Sequence, residues 1–384
     1  MLLQQLTLQN LLSFGDTPCV VPLRPLNVLI GPNGSGKSNF IEAIALLQAA
    51  PKRLFEPMTD GINEWLWKGR RPVIARIEAH MAESPILGSV RHTLGFTTVG
   101  STAEIVEERI ARQQPNGQES LAYQYGLFSS TKPMLCVEGE ERELSREDLD
   151  FTKSILAQRK DPDQYREITF LAEDYEKIQL YRDWTFGRES KPRQWQRTDQ
   201  RNDCLGSDFS NLGMMLNRIR RVSETKRQLL ESLNELYPNI DDFDVSVEGG
   251  SVQVFFQEGT FTVPATRLSD GTLRYLCLLV ILLQPSPPPL VCIEEPELGL
   301  HPDVLPGLAD LLREASGRMQ LIVTTHSHVL VDALSDTPES VIVCEKQEGQ
   351  TTMERLDRGS LSIWLEQYTL GDLWRSGELG GNRW

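Results

Sequence analysis

The chain has 384 residues, of which 40% are hydrophobic, and a formal net charge of −15. Its length allows one elaborated domain or two, and its longest apolar run, the nine residues Tyr275–Leu283, is too short to span a bilayer. The negative charge excludes a protein that coats nucleic acid through bulk electrostatics, although local basic patches can still bind it.

The first residues, Met1–Gln5, lack the basic region and the small-residue cleavage site of an export signal. The six cysteines form no C-x-x-C pair, and four of them lie in or beside apolar stretches. We therefore expect reduced, buried thiols in a cytoplasmic protein rather than disulfides or a zinc site.

The most informative segment is residues 31–38, Gly-Pro-Asn-Gly-Ser-Gly-Lys-Ser, which fits the phosphate-loop pattern G-x-x-x-x-G-K-[ST]. It follows an apolar strand predicted at Leu26–Ile30 and precedes a helix predicted to begin near Ser38. The apolar residues on one side of this helix are Phe40, Ile41, Ile44 and Leu47.

Each residue type in this loop has a physical reason. Glycines let consecutive N–H groups point into one concavity that suits a phosphate chain, and the helix adds the positive end of its dipole. Lys37 can reach the β- and γ-phosphates, and the Ser38 hydroxyl can bind Mg²⁺. The candidate nucleotide-binding residues are Asn33, Gly34, Ser35, Gly36, Lys37, Ser38 and Asn39. The segment predicts a nucleoside triphosphate site.

Hydrophobic periodicity predicts the elements between this loop and residue 265. The predicted strands are Leu6–Leu12, Val73–Ala79, Val90–Thr97, Ala103–Ile110, Asp244–Phe256 and Thr260–Pro264. The predicted helices are Ser145–Gln158, Asp163–Leu180 and Ser207–Tyr237, the last being one long helix or a pair that Ser207 or Asp208 opens.

Basic and aromatic side chains alternate between residues 182 and 201, as nucleic-acid contacts can. They are Arg182, Trp184, Phe186, Arg188, Lys191, Arg193, Trp195, Arg197 and Arg201. The alternative is a solvated loop with a few packed rings, because Asp183, Glu189 and Asp199 dilute the charge. A second basic stretch at residues 218–227 is more typical of a helix surface.

Three motifs follow in order, at residues 269–271, 294–297 and 324–327. Ser269 and Asp270 predict the N-cap of an apolar helix, and Gly271 permits close backbone approach, so this helix N-terminus suits an anion. Glu294 and Glu295 end a buried strand at its carboxyl edge, where α/β sheets bind ligands.

One of these two carboxylates can hold Mg²⁺ and the other can deprotonate the attacking water. Glu297 is predicted to be a structural cap or a dimer contact. His326 ends another buried strand about 30 residues later, where a γ-phosphate sensor is expected.

The order of these motifs resembles the ATP-binding-cassette (ABC) ATPases. The similar branch is soluble and includes RecF, the structural-maintenance-of-chromosomes (SMC) heads and the OLD ATPases, and the chain is most similar to the stand-alone predicted AAA-type ATPases of bacteria. The segments that carry this resemblance are residues 25–39, 64–69, 211–212, 298–302, 370–374 and 377–381.

The resemblance implies an α/β fold of the P-loop NTPase, ABC-ATPase type. This fold has a mixed β-sheet with flanking helices and a helical and strand insertion between Walker A and the signature. Three segments follow from it. Residues 1–50 would hold Walker A, residues 51–265 the rest of the first lobe with the insertion, and residues 266–384 the signature, Walker B and switch histidine.

The resemblance also implies a role for each matching residue. Lys37 and Ser38 would hold ATP and Mg²⁺, Glu294 would take the Walker-B metal role, Glu295 would be the general base, and His326 the switch histidine. Ser269 and Gly271 would form the signature that meets the ATP of a second protomer. Gln158 is a candidate for the glutamine that senses Mg²⁺, although its assignment stays open.

The function that follows is an ATP-dependent homodimer that works on or near DNA, in repair or antiviral defence. It would control a separate effector such as a nuclease. The 229 residues between Ser38 and Leu268 leave room for contacts with DNA or a partner. The alternatives are the energy subunit of a transporter and a nucleotide-binding scaffold without turnover.

We expect this chain itself to lack nuclease activity. The 58 residues after His326 carry no cluster of acidic residues spaced like a metal nuclease.

Overall fold

The computed structural model describes residues 1–69, 73–83, 88–100, 102–113, 118–128, 131–137 and 140–380. Gly381, which belongs to the C-terminal segment of the resemblance, lies outside these ranges.

The strands in chain order are β1 (Leu3–Gln9), β2 (Cys19–Pro22), β3 (Leu26–Ile30), β4 (Ala75–Met81), β5 (Ser89–Val99), β6 (Thr102–Gln113), β7 (Glu119–Gly126), β8 (Thr131–Val137), β9 (Glu140–Glu143), β10 (Gln179–Tyr181), β11 (Gln196–Arg197), β12 (Asp242–Glu248), β13 (Ser251–Glu258), β14 (Phe261–Pro264), β15 (Leu290–Glu294), β16 (Gln320–Thr324), β17 (Val341–Gln347) and β18 (Gln350–Arg355).

The α-helices are α1 (Lys37–Ala49), α2 (Ile62–Trp65), α3 (Ile155–Gln158), α4 (Arg166–Glu176), α5 (Leu212–Ile219), α6 (Ser223–Leu236), α7 (Asp270–Leu283), α8 (Leu305–Ser316), α9 (His328–Asp332), α10 (Arg358–Leu365) and α11 (Leu370–Ser376). Single 3₁₀ turns occupy Arg146–Asp148, Lys191–Arg193, Ala265–Arg267, Pro302–Val304 and Pro338–Ser340.

The chain divides into two compact units. The first contains Met1–Ile178, Glu339–Leu356 and the residues from Gly377, and the second contains Gln179–Pro338 and Asp357–Ser376. These units follow contacts in space, whereas the three segments predicted from the sequence follow the order of the motifs. The three-segment division therefore stays a prediction.

The first unit contains the phosphate loop. An antiparallel sheet runs in the order β2-β1-β4-β5-β6-β7-β8-β9. Apart from it, β3 pairs in parallel with β17, which pairs antiparallel with β18. All five residues of β3 are buried, and so are the predicted apolar positions of α1. Burial on both faces is what a continuous apolar strand in an α/β core predicts.

The second unit contains the other motifs. Here β10, β15 and β16 form a parallel array, and β13 lies between β11 and β12 and also pairs with β14. Helix α7 is buried from Thr272 to Leu283, as its all-round apolar sequence predicts. Parallel and antiparallel strands with flanking helices confirm the predicted α/β class.

Most predicted strands are confirmed with shifted ends, but residues 244–256 form the hairpin of β12 and β13 instead of one strand. Two helix predictions are also wrong. Residues 145–158 contain only a 3₁₀ turn and the four-residue α3. The Asp150 carboxylate accepts hydrogen bonds from the backbone and hydroxyl of Thr152, which stabilises a turn instead of a helix. The helix predicted at residues 163–180 spans only α4, and its last residues form the edge strand β10.

The prediction at residues 207–237 is resolved in favour of a helix pair, α5 and α6. Its predicted start at Ser207 or Asp208 is wrong. The Asp208 carboxylate accepts a hydrogen bond from Ser210 N, and Phe209 has a left-handed backbone with φ of 59°. Neither conformation continues a helix, so α5 begins at Leu212.

The six cysteines are free thiols, and four of them are buried, as expected. Across the described part of the chain, no helix combines the length and apolar character that crossing a bilayer requires.

Candidate functional site

The phosphate loop curls as its glycines predict. Gly31, Gly34 and Gly36 have φ of 145°, 78° and 103°, values that side chains rarely adopt. A Cβ on Gly31 would lie 2.2 Å from the carbonyl oxygen of Cys344, and one on Gly36 would lie 2.3 Å from Thr351 Oγ1. A Cβ on Gly34 would meet no described atom within 4 Å. Two of the glycines are therefore required by packing as well as by dihedral angle.

Lys37 begins α1 and closes the loop. Its ammonium donates hydrogen bonds to the carbonyl oxygens of Gly31 and Pro32, at 2.8 and 3.1 Å. Only 5% of Lys37 is exposed. The loop therefore holds the positive charge of Lys37 in its concavity, beside the N-terminus of α1.

These residues fit a nucleoside triphosphate. The Ser35 hydroxyl is buried and has no hydrogen-bond partner among the described residues, which is costly unless an acceptor or donor completes the site. The first turn of α1 carries no acidic residue, so its dipole favours an anion. Ser38 is exposed at the helix start, and Asn33 and Gly34 are exposed on the loop.

A polar network that sequence reasoning missed supports the loop. Thr351 Oγ1 lies 2.9 Å from the Ser35 carbonyl oxygen and 2.7 Å from Ser13 Oγ. The Asn39 amide donates to the same Ser13 oxygen at 2.7 Å. Asn39 therefore contacts the loop's support, and its predicted contact with nucleotide stays a prediction. No local signal marks Thr351, because it lies 316 residues from Ser35.

Glu294 ends β15 in the second unit. Its carboxylate forms an ion pair with Arg182, with 3.4 Å between Nε and Oε1, and only 18% of its side chain is exposed. Its carbonyl oxygen accepts a hydrogen bond of 2.7 Å from the Trp184 indole. The candidate metal ligand is thus held through both its side chain and its backbone.

Glu295 has a left-handed backbone with φ of 45°, an uncommon conformation for a residue with a side chain. Its N–H donates to the Thr324 carbonyl oxygen at 3.0 Å, and its carboxylate lies 3.5 Å from His326 Nε2. The structure therefore brings two of the predicted catalytic residues together. A strained backbone of this kind often marks a functional residue.

Glu297 connects the turn after β15, residues 295–297, with residues 325–326 after β16. Its Oε1 accepts hydrogen bonds of 2.7 Å from the Thr325 hydroxyl and from His326 N. Burial raises the pKa of Glu297, and the hydrogen bonds from His326 and Thr325 oppose the shift. These contacts are those of a structural cap, one of the two roles predicted for Glu297.

The residues predicted to form the signature lie at the start of α7, where Ser269 is the N-cap as predicted. The Ser269 side chain caps the helix by accepting a hydrogen bond of 3.1 Å from Thr272 N. A Cβ on Gly271 would lie 2.8 Å from the Gly299 carbonyl oxygen, so this glycine lets the helix approach residues 298–299. Arg274 donates to the carbonyl oxygen of Leu298 from the next turn of the helix.

The basic and aromatic segment at residues 182–201 contains both packed rings and exposed charges, and its contact with nucleic acid stays a prediction. Trp184 and Phe186 stack on Phe209, with ring centroids 5.2 and 5.3 Å apart. Trp195 is 65% exposed. The ion pairs of this segment are Arg182–Glu294, Arg193–Asp270, Arg197–Asp199 and Arg201–Asp203. Ion pairs within the chain and ring stacking therefore involve six of the nine side chains considered for nucleic-acid contact.

The second basic stretch is also paired on its own unit. Its ion pairs are Arg220–Asp244, Lys226–Asp242, Arg227–Glu224 and Arg227–Glu231. These contacts fit the helix surface that the sequence favoured.

The candidate Mg²⁺-sensing residue Gln158 is engaged locally. Its side chain accepts from Asp150 N and donates to the carbonyl oxygens of Asp150 and Lys153, at 2.9 to 3.0 Å. The described ranges hold no group of three or more His, Cys, Asp or Glu side chains that could bind a metal by itself.

One protein family and a set of solved structures match this chain. The family described as "AAA domain, putative AbiEii toxin, Type IV TA system" matches residues 26–332. No curated protein matches the chain.

The solved structures that share the fold include three Smc heads. The SmcHead bound to the C-winged helix domain of ScpA has 17% identity and a TM-score of 0.55, covering 93% of this chain and 99% of that one. The Smc head with an extended coiled coil bound to the C-terminal domain of ScpA, derived from Pyrococcus furiosus, has 16% identity, a TM-score of 0.56 and coverages of 95% and 98%. The Smc head with a coiled coil and joint from Pyrococcus yayanosii has 13% identity, a TM-score of 0.54 and coverages of 95% and 99%.

These identities are low, so the likeness shows a common fold, the P-loop NTPase fold of SMC heads. The family match spans most of the chain and includes the phosphate loop, the N-terminus of α7, Glu294, Glu295 and His326. The chain therefore belongs to the family of AAA domains described as putative AbiEii toxins of type IV toxin–antitoxin systems, with the fold of an SMC/ABC-type ATPase.

Proposed function

We propose that this protein binds and hydrolyses ATP with Mg²⁺ and closes into a homodimer around two ATP molecules. In this state it acts as a nucleotide-gated switch in antiviral defence or DNA repair and controls a separate effector such as a nuclease. The observation that carries the proposal is the phosphate loop, where Lys37 is 95% buried against two loop carbonyls and the buried Ser35 hydroxyl has no partner among the described residues.

The chain's own residues divide the work. Lys37 and the N–H groups of the loop would bind the β- and γ-phosphates, and Ser38 with Glu294 would hold Mg²⁺. The metal ion supplies charge neutralisation on the phosphates. Glu295 would accept a proton from the attacking water, and His326, whose Nε2 lies 3.5 Å from that carboxylate, would sense the γ-phosphate as the switch histidine.

The position of the predicted signature supports the proposed dimer. Ser269 caps α7 with its side chain, so the helix presents a positive dipole end at residues 269–271. In the proposed dimer this N-terminus meets the γ-phosphate held by Lys37 of the second protomer. Each ATP would then be bound by both subunits, which makes dimerisation depend on nucleotide.

Two comparisons support a protein partner. The family description names a toxin of a toxin–antitoxin system, which by definition has a second component. Two of the similar Smc heads were solved bound to domains of ScpA. Direct DNA contact stays part of the proposal, because the ion pairs Arg197–Asp199 and Arg201–Asp203 are solvent-exposed and such pairs contribute little.

The test combines turnover, assembly and copurification. Purified wild-type protein should hydrolyse ATP only with Mg²⁺ and dimerise in light scattering with ATP, and a Lys37→Ala control should do neither. Copurification with a nuclease or DNA supports the effector proposal. Copurification with membrane-domain proteins would favour a transporter subunit, and binding without turnover would favour a scaffold.

A further inference from the structure

A segment of the second unit, residues 182–193, connects the Walker-B strand end with the start of the signature helix. We call it the strap. At one end, Arg182 pairs with the Glu294 carboxylate at 3.4 Å and Trp184 donates to the Glu294 carbonyl oxygen at 2.7 Å. At the other end, Arg193 donates to the Thr266 carbonyl oxygen at 2.8 Å and to the Asp270 carboxylate at 2.6 Å.

Trp184 is the centre of this connection. Its ring stacks on Phe209 with an interplanar angle of 21°, and the Arg274 guanidinium lies 5.0 Å from its centroid, within cation–π distance. Arg274 is 8% exposed, and burial lowers the pKa of its guanidinium. A desolvated guanidinium on an aromatic face is the geometry in which this contact is strongest.

Arg274 extends the connection to the loop after the acidic turn. It also donates to the Leu298 carbonyl oxygen, and the adjacent Gly299 carbonyl lies against Gly271. The indole of Trp184 therefore does two things at once that phenylalanine or leucine cannot. Its N–H satisfies the Glu294 carbonyl, and its ring face holds the cation of the signature helix.

We propose that Trp184 is a positioning residue that joins the signature helix to the Glu294–Glu295 turn, so that the two shift together. This inference rests on the proposed function, in which the signature contacts the ATP of the second protomer while the carboxylates act on the ATP of their own. Because the two elements are joined within one subunit, binding of one ATP changes the affinity of the dimer for the other. The result is cooperativity between the two nucleotides of the dimer.

The experiment measures ATP-driven dimerisation and the Hill coefficient of ATP binding in a Glu295→Gln background, which avoids turnover. Trp184→Phe keeps the ring and removes the N–H donor, and Trp184→Leu removes both. Trp195→Leu is the matched control, because it makes the same change on a 65% exposed tryptophan of the same region. Thermal unfolding verifies that each variant is folded.

We expect Trp184→Phe to weaken dimerisation about fivefold, the typical effect of one lost hydrogen bond, and Trp184→Leu to weaken it about tenfold or more. Trp184→Leu should also lower the Hill coefficient toward 1, with ATP binding to the monomer unchanged because the phosphate loop is intact. Trp195→Leu should match the parent protein.

A double-mutant cycle isolates the contact. If the cation–π contact transmits the coupling, Trp184→Leu and Arg274→Met together should weaken dimerisation less than the product of their separate effects. Equal Hill coefficients in Trp184→Leu and Trp195→Leu would overturn the inference while leaving the ATPase intact. A wild-type chain that neither binds ATP nor dimerises would instead refute the proposed function. If Trp184→Leu does not fold, the Trp184→Phe result decides, and parent-like dimerisation in that variant overturns the inference.

Discussion

Replacing Glu295 by glutamine separates ATP binding from hydrolysis. The side chain keeps its size, and the backbone anchor to Thr324 at 3.0 Å is unchanged, so the φ of 45° is kept. Only the carboxylate that would accept the proton of the attacking water is removed. General-base loss typically lowers the rate by about 10²–10⁴-fold, so the ATP-bound dimer should accumulate.

The structure also sets the expected effect on stability. The contact with His326 spans 3.5 Å between side chains that are both 36% exposed, so even with a charged imidazole its contribution to the free energy of unfolding is below about 1 kcal/mol. The unfolding midpoint should therefore fall by no more than about 4 °C. Size-exclusion with light scattering in ATP and Mg²⁺ would report a dimer holding two ATP molecules.

Two controls make the result decisive. Glu295→Gly should be equally inactive but at least as stable as wild type, because glycine adopts this backbone without the cost of about 1–2 kcal/mol that side chains incur. Glu294→Gln should instead weaken Mg²⁺-dependent binding. If Glu295→Gln hydrolyses ATP within a few-fold of the wild-type rate, the base lies elsewhere and the reasoning fails.

Three further outcomes are expected. Lys37→Ala should abolish tight ATP binding with the fold intact in circular dichroism, and wild-type turnover in this variant would contradict the phosphate-loop assignment. Ser269→Arg should spare ATP binding by the monomer but block dimerisation and turnover, because a large cation opposes the dipole of α7. Normal turnover in this variant would show that Ser269 is only a helix cap. Burial raises the pKa of Glu297 above its ordinary 4.5, so its contribution to folding stability is fully present below pH 4.5 and is lost as pH rises through the folded-state pKa. Thermal unfolding against pH should therefore show a decline that Glu297→Gln removes, and parallel curves for the two proteins would refute this.

One expected outcome concerns the effector. The isolated chain should not cleave DNA with or without ATP and Mg²⁺. Plasmid nicking by pure protein, abolished by substitutions outside the ATPase motifs, would reveal a nuclease site in this chain and remove the need for a separate one.

Sequence patterns were most informative where the governing interactions are local. This holds for the phosphate loop, for the Ser269 cap and for the apolar strands before Glu294 and His326. Each of them depends on residues that are close together in the sequence. Periodicity was least reliable at residues 145–158, where Asp150 and its neighbours form side-chain turns, and it led to no prediction for the hairpin of β17 and β18. That hairpin had a signal, Glu348-Gly349 at its turn, where both residues have positive φ.

The sequence by itself determined the class of ligand and the family, because a phosphate-binding turn is specified by dihedral angles and donors that eight consecutive residues supply. Only the tertiary structure decided which distant side chains support that chemistry. Thr351 hydrogen-bonds the Ser35 carbonyl oxygen across 316 residues, and Trp184 reaches the Glu294 carbonyl across 110. Such contacts depend on desolvated packing between elements that the fold brings together, so no local pattern in the chain encodes them.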